Sequence, residues 1–276
     1  MPKIAVIMPA YQAAETIGRA IESVRAQTFS DWELLVVDDG SVDATGEIAA
    51  VHARDDARVR VLAKRANVGA AAAMNRAWRD SSAPFVAIMD ADDFALPGRL
   101  ARQVDFFSDH ADIDVLGGAA HFVDGRGRYL RSVTLPETHE ALERRRWYAC
   151  PFVHPTVMMR RRFLETTGGY EAGLRLGEDY DLWMRGFFIG GFKYANLNDA
   201  LVIYRARPKQ RWKMIRASAA VRMRAGRRER KFFRGWTSAT RILLEGAVEQ
   251  TGIFAWRDEK FPGAVPPDVA AQQRSP

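Results

Sequence analysis

Acidic residues gather in this sequence where an ordinary surface does not explain them. The stretch "VVDDGSVDAT" closes an apolar run with Asp38 and Asp39 and adds Asp43, and "FVAIMDADD" closes another with Asp90, Asp92 and Asp93. Further on, "GEDYDLW" sets Glu178, Asp179 and Asp181 at the head of a helical pattern. One acidic strand end is weak evidence, because Asp is a common turn residue and helix cap. Two on neighbouring strands are harder to dismiss, since crowded carboxylates raise one another's pKa and cost stability unless a cation neutralises them. Mn²⁺ or Mg²⁺ does this with one or two carboxylates, keeping some water and completing its shell with phosphate oxygens. The D-x-D spacing of Asp90 and Asp92 lets one side chain turn toward a metal and the other toward a sugar hydroxyl, so a diphosphate ligand is expected. The lone Cys150 can form neither a disulfide nor a thiolate metal site, and reads as a small core residue.

The elements that position these acids follow from periodicity. Short β-branched runs alternate with helical patterns over the first 120 residues, the signature of an open α/β sheet with parallel strands. "KIAVIMPA", "WELLVVDDGS", "RVRVLAK", "PFVAIMDADD" and "IDVLGG" read as five strands, with helices between them. The pattern then changes. "AHFVDGRGRYLRSV" alternates around a D-G-R-G turn as an antiparallel hairpin, "EDYDLWMRGFFIG" reads as a helix, and "FKYANL" and "ALVIYR" read as two further strands. In such sheets ligands bind beyond the carboxyl ends of the strands, where these acids fall.

Charge divides the chain again. Residues 1 to 204 carry 24 Lys or Arg against 28 Asp or Glu, while residues 205 to 276 carry 17 against 6, so the net +7 belongs to the tail. That places a basic attachment surface on the last segment and argues against a nucleic-acid-binding face on the main fold. No apolar run reaches the roughly 18 to 20 residues of a membrane span, and "MPKIAVIMPAYQ" lacks the regions of a signal peptide, so a cytoplasmic location is expected.

Seven segments in order, "PAYQAAETI", "VVDDGSVDAT", "NVGAAAAMN", "IMDADD", "HPTVMMRRR", "GGY" and "EDYDLWMR", closely resemble the family 2 glycosyltransferases, which have the GT-A type nucleotide-sugar-binding fold. Each motif is short, and their order and separation over about residues 3 to 205 carry the resemblance. Gln12 departs from it, standing where that family commonly has Asn. The resemblance implies a Rossmann-like, mostly parallel sheet with a smaller antiparallel part. It implies a domain over 1–207, with a nucleotide-binding half to about 118 and an acceptor half after it, and a basic helical extension over 208–276. The implied activity is inverting transfer of a sugar from a nucleotide-diphospho-sugar, a UDP-sugar by expectation, to a hydroxyl of a glycan or lipid-linked acceptor in surface polysaccharide biosynthesis.

It also implies residue roles. The base and ribose lie near Pro9, Ala10, Tyr11, Glu15, Asp38 and Asp39, with Asn67 and Gly69 lining the nucleotide pocket. Asp90, Ala91 and Asp92 meet the ribose, diphosphate and metal, with Asp92 as the metal ligand and Asp90 as a ribose or second metal contact. Asp179 is the base that takes the acceptor's proton, and Glu178 touches the acceptor. Arg205, in "VIYR", is a phosphate contact. His154 reads equally as a metal or phosphate ligand and as a structural histidine, and Arg160 to Arg162 read as diphosphate contacts or, in preference, as a solvated helix start. Asp93 reads either as a member of the acid cluster or as a cap for a helix starting near Pro97. Ser41 and Asp43 read as caps of the helix after the second strand.

The tail, "PKQRWKMIRASAAVRMRAGRRERKFFRGW", reads either as a basic aromatic helix lying on an anionic membrane surface over residues 208–241, or as a helix packed on the main domain. The end, "FPGAVPPDVAAQQRSP", reads as poorly structured. Two other functions compete. A nucleotidyltransferase would carry a Gly-rich loop with Arg and Lys after the first strand, which "PAYQAAET" lacks. A binding protein that kept the fold without catalysis would have no use for intact Asp92 and Asp179.

Overall fold

The computed structural model describes residues 1–62, 66–206, 211–250 and 265–273. Its centre is one mixed sheet. Strands β1 (Ile4–Ala10), β2 (Trp32–Asp38), β3 (Val59–Leu62) and β4 (Phe85–Ile88) are parallel, in the order β3-β2-β1-β4. β1 and β4 are buried almost throughout, as parallel strands covered on both faces must be. Helices α1 (Ile17–Arg25), α2 (Thr45–Asp55) and α3 (Ala70–Asp80) follow the first three strands. Ala63 and Lys64, counted with the third strand from sequence, lie outside the described residues.

Parallel order ends at β4. The sheet continues through β8 (Met158–Arg160), which pairs antiparallel with both β4 and β6 (Ile113–Val123). The run "IDVLGG" is therefore no fifth parallel strand in sequence order; it opens the 11-residue β6 across an inserted antiparallel strand. Short β5 (Phe94–Ala95) follows β4, helix α4 (Arg99–Asp109) leads into β6, and β7 (Tyr129–Val133) forms the expected hairpin with β6. Helices α5 (His139–Arg145), α6 (Arg161–Thr167) and α7 (Glu178–Ile189) follow. "FKYANL" and "ALVIYR" are one strand, β9 (Lys193–Arg205), running parallel to β6 with matching register shifts that absorb the polar residues at its middle.

This topology sets the site. The parallel strands carry the ends of β1, β2 and β4 to one edge. Because β8 runs the other way, the chain entering it, a 3-10 turn at His154–Thr156, arrives at that same edge, where the Ile88 amide donates to the Val157 carbonyl at 2.9 Å. Small residues at the start of α3 let it lie close to β1 and β2.

The tail is docked. Helices α8 (Arg211–Arg228) and α9 (Phe232–Gln250) cross at Gly226 and Gly235, where a Cβ on either would meet the other's backbone at 2.8 Å. Val221 and Ala225 pack with Trp147, Tyr180 and Met184. Buried Arg222 donates to the Tyr180 hydroxyl at 3.0 Å, to the Ser238 carbonyl at 3.1 Å and to the Tyr148 carbonyl, and Arg146 forms a bidentate pair with Glu229. Pro208–Gln210 lie outside the described residues. The C-terminal stretch, expected to lack structure, contains helix α10 (Pro267–Gln273), whose Val269 is buried against Leu96, Val123 and Ile203. No helix among the described residues is long and apolar enough to cross a membrane.

Candidate active site

The tips of β1 and β2 form a network knitted from backbone amides and short polar side chains. Asp38 accepts from the Ser41 amide at 2.9 Å and sits against the first turn of α2, where a Cβ on Gly46 would come within 2.8 Å of its carboxylate. Asp39 is buried, and both its oxygens are engaged, with the Val68 amide at 2.9 Å and the Gly69 amide at 2.8 Å. It thereby fixes the loop ahead of α3, where Gly69 has φ +95°, a conformation that favours glycine. Gln12 occupies left-handed space at φ 51° and accepts from the Val42 amide at 2.9 Å. An Asn would suit that backbone better, but the longer side chain reaches the next loop.

Neither Ser41 nor Asp43 holds the N-cap position of α2, which is Ala44 with no side-chain cap; they tie the loops together instead. Asp43 accepts from the Thr45 amide and, at 3.1 Å, from the Ala14 amide, while Ser41 turns away to accept from Gln12 at 3.0 Å. The ring of polar partners thus joins the two loops. Pro9 and Ala10 line the β1 end, Tyr11 and Glu15 are exposed beside it, and Asn67 is exposed at the rim.

At the β4 tip, Asp90 and Asp92 are half-buried and Asp93 is buried. Asp93 does not cap the helix near Pro97, since α4 begins at Arg99 with Gly98 before it and no side-chain cap. Its carboxylate instead accepts from the Arg205 amide at 2.8 Å, anchoring the end of β9. Beneath the tip lies Arg99, fully buried, donating to the Ile88 carbonyl at 2.8 Å and the Val157 carbonyl at 3.3 Å. Burial pulls its pKa down to about 9 while the charges of Asp93 and Asp90 hold it up, so it is a cation at neutral pH. Part of the acid cluster is thus neutralised from behind, by the protein itself.

Asp90 and Asp92 suit a hard divalent ion in donor type. Among the described residues no group of three or more His, Cys, Asp or Glu side chains is arranged to hold a metal ion. Asp92 also borders a cavity of about 380 Å³ with Thr16, Arg19, Arg126, Arg128 and Arg205 on its walls. Arg205 therefore shares a space with Asp92, its guanidinium held by the Gly125 carbonyl at 3.2 Å.

The second acid pair arrives from α7. The preceding loop turns through Gly168, Gly169 and Gly177, all at positive φ, and Arg185 pins it by donating to the Thr167 carbonyl at 2.6 Å and the Gly169 carbonyl at 2.7 Å. Asp181 is committed to structure, paired with Arg185 at 2.7 Å and Arg224 at 3.7 Å. Glu178 and Asp179 have no ion pair with Lys or Arg among the described residues. Burial, and then the charge of Asp179, push the Glu178 carboxyl above its ordinary range, with His154 opposing and Asp90 adding to the rise. Glu178, Asp179, His154 and Asp90 of the β4 tip are thus near enough to act on one another's charge, and form one electrostatic group.

Tyr170 and Cys150 complete it. The Tyr170 hydroxyl lies 3.0 Å from His154 Nε2, and Asn75 clamps the Tyr170 backbone through both its amide and its carbonyl. Burial, then Asp179, Glu178 and Asp90, drive the phenol well above its usual pKa. The Cys150 thiol lies 3.9 Å from Asp179 Oδ2, and burial followed by Asp179 raises its pKa as well. Cys150 is therefore a neutral group facing the α7 acids, beyond the core role expected for it.

Sequence reasoning missed several members. Arg175 donates to the Asn67 side chain at 2.7 Å and spans from the α7 loop to the α3 loop across Gly69. Arg126 and Arg128 read only as hairpin-turn residues, although two arginines in a "DGRGR" turn were the available signal. A helix does start here, at Arg161, with Arg162 exposed and paired with buried Asp114 at 2.5 Å, but Arg160 and Arg161 are structural, donating to the Ile113 and Phe107 carbonyls and to the Ala83 and Trp78 carbonyls.

A parallel nucleotide-binding half with acidic strand tips, facing an antiparallel half that delivers a helix headed by two carboxylates, defines a GT-A type glycosyltransferase fold. Solved structures agree with it. S. aureus TarS 1-349 in complex with UDP-GlcNAc superimposes with a TM-score of 0.62 at 20% identity, covering 85% of this chain and 73% of that one. The mannosyltransferase PcManGT from Pyrobaculum calidifontis, in complex with GDP-Man and Mn²⁺, gives 0.63 at 19% identity over 99% and 78%. The pattern of Glycosyl transferase family 2 matches residues 5–168. The putative glycosyltransferase EpsE of Bacillus subtilis is 35% identical over 209 residues, 72% of each chain. The succinoglycan biosynthesis protein ExoU of Rhizobium meliloti is 36% identical over 198 residues, 66% of this chain and 56% of that protein. The chain belongs to glycosyl transferase family 2.

Proposed function

We propose that this glycosyltransferase moves a sugar, with inversion, from a UDP-sugar to a hydroxyl of a glycan or lipid-linked glycan in the biosynthesis of a surface polysaccharide. The observation that carries the reading is the electrostatic proximity of Asp90 at the β4 tip, with Asp92 two residues on, to Glu178 at the head of α7 and to Tyr170, whose hydroxyl lies 3.0 Å from His154. Inversion needs two such groups, one side holding the leaving diphosphate and the other taking the acceptor's proton. The names of EpsE and ExoU support a polysaccharide setting, and the TarS complex supports a uridine nucleotide.

In this reading Pro9, Ala10, Tyr11, Glu15, Asp38 and Asp39 surround the base and ribose, and Asn67 and Gly69 close the pocket with Arg175. Asp92, with Asp90 beside it, would hold Mn²⁺ or Mg²⁺, and a bound ion would act as a Lewis acid on the diphosphate. Arg205, Arg19, Arg126 and Arg128 add positive charge on the same cavity, where guanidinium forks match phosphate oxygens. Asp179 Oδ accepts the proton as the acceptor oxygen attacks the anomeric carbon. Glu178 and His154 orient the acceptor, and the neutral Tyr170 and Cys150 keep the pocket free of further negative charge. Holding the reactants in line supplies much of the remaining acceleration.

Thermal-shift titration with UDP- and GDP-sugars, in Mn²⁺ and after chelation, tests the donor and the metal together. Metal-dependent stabilisation by a UDP-sugar, lost in Asp92→Asn, is expected. Stabilisation by GDP-sugars alone overturns the uridine assignment, and an undiminished shift after chelation overturns the metal's role.

A further inference from the structure

The α8–α9 hairpin has two faces of opposite character. Its inner face is tied to the catalytic half by Arg222, by the Arg146–Glu229 pair and by the Trp147 cluster. Its outer face carries large apolar side chains that folding leaves in water: Phe232 is 63% exposed, Phe233 77%, Trp236 58% and Leu244 66%. Met223 and Arg227, four residues apart on α8, border the same shallow depression as the aromatic residues. On α9, Phe233, Trp236 and Leu244 recur at helical spacing along one stripe.

Basic residues are dense on the same hairpin. Arg227 borders the depression, Arg228, Arg230 and Lys231 follow at the turn between the helices, and Arg227, Arg228 and Arg230 have no ion pair among the described residues. A protein partner would have to answer these guanidiniums with acids placed at matching points, whereas an anionic surface answers them wherever they fall. Here aromatic side chains stand among unpaired guanidiniums. The partner they fit supplies apolar depth and diffuse negative charge in one plane, which is a bilayer of anionic phospholipid.

We propose that the outer face of the hairpin, centred on Phe232, Phe233 and Trp236, with Arg227 at its edge and Arg228, Arg230 and Lys231 in the adjoining turn, docks this enzyme on an anionic membrane surface. The aromatic rings enter the headgroup region and the guanidiniums contact lipid phosphates. Because Arg222 bridges Tyr180, Tyr148 and Ser238, the docked hairpin is continuous with α7, the helix that carries Asp179. Docking therefore fixes the orientation of the catalytic half relative to the lipid.

Sedimentation of the full chain with vesicles of phosphatidylcholine, with and without phosphatidylglycerol, tests this without donor or acceptor. The expected result is binding that requires phosphatidylglycerol and weakens with salt. Phe232→Ala, Phe233→Ala and Trp236→Ala together should lower partitioning by about a thousandfold, each ring accounting for roughly a tenfold change. Arg227→Gln with Arg230→Gln should lower it by about tenfold. These side chains are exposed, so an unchanged melting temperature confirms that the variants fold. Absence of binding to phosphatidylglycerol vesicles overturns the proposal, as does binding that the aromatic variant leaves intact. A dimer that the aromatic variant converts to monomer overturns it too, by showing that a second copy covers the patch. A failure here leaves donor-induced stabilisation in place, and a failure of the donor assignment leaves vesicle binding in place, so the two readings fail separately.

Discussion

The carboxylates at the tip of β2 and those at the head of α7 are the same chemical groups in opposite circumstances. Asp38 and Asp39 accept hydrogen bonds from backbone amides that they hold in place, and Asp39 spends both oxygens on the loop before α3. Glu178 and Asp179 are crowded together, with no Lys or Arg ion pair among the described residues, and burial lifts the Glu178 carboxyl above its usual range. The first pair builds a rigid pocket before any ligand arrives. The second pair costs stability, and a perturbed acid held in a cleft marks a place where chemistry is expected.

The sharpest way to break this comparison is Asp179→Asn. If the α7 acids do chemistry, kcat should fall by about a thousandfold, while donor-induced stabilisation survives, as measured by nucleoside diphosphate release and thermal shift. A rate within a fewfold of the parent would reduce Asp179 to the scaffold class. Asp39→Ala probes the other side. It should cost about 2 kcal/mol in urea unfolding, because the buried Gly69 amide and the part-buried Val68 amide lose a charged acceptor, and should weaken donor binding as the loop loosens. Little change in either would mean that the β2 tip is less pre-built than its hydrogen bonds indicate.

How much of this was legible in the sequence follows the same division. The strand tips stood out because short continuous apolar runs ended in acids, and short-range pattern is what a sequence displays most directly. The single strand β9 did not, because polar residues at its middle look like a loop until β6 is there to take up the register shifts. Antiparallel β8, only three residues long, carries no periodic signal of its own. Arg99 reads as a surface residue of an amphipathic helix, and only the fold shows its guanidinium buried behind Asp90 and Asp93. Arg175 meets Asn67 across more than a hundred residues of chain, a contact no local motif encodes. The tail's basic and aromatic content was visible. That one of its arginines, Arg222, turns inward to lock the hairpin was not, since the choice depends on Tyr180 and Tyr148 from elsewhere.

Stability against pH separates the two carboxylate classes without any substrate. The raised Glu178 carboxyl lets the folded chain keep a proton that the unfolded chain has released, so this group makes stability fall as pH rises through a window that opens at its ordinary 4.5 and closes at the folded value. Glu178→Gln should therefore raise the melting temperature at pH 8 in metal-free buffer and leave it nearly unchanged at pH 4. A lower melting temperature at pH 8 would show Glu178 to be a stabilising cap instead.

Asp56, far from the site, supplies the reference of opposite sign and smallest size. Hydrogen bonds from Arg58, at 3.1 Å and 2.8 Å, with a weaker one from Arg25, bring its pKa from 3.8 to about 2. A depressed carboxylate contributes stability that is present above about pH 4 and is lost as pH falls toward 2. Arg58 is partly in solvent, so the pair is screened and Asp56→Asn should cost no more than about 1 kcal/mol at pH 7, shrinking to nothing near pH 2. If Glu178→Gln and Asp56→Asn instead showed pH slopes of the same sign, the α7 acids would be ordinary paired carboxylates, and the contrast with the β2 tip would fail on the charge state that defines it.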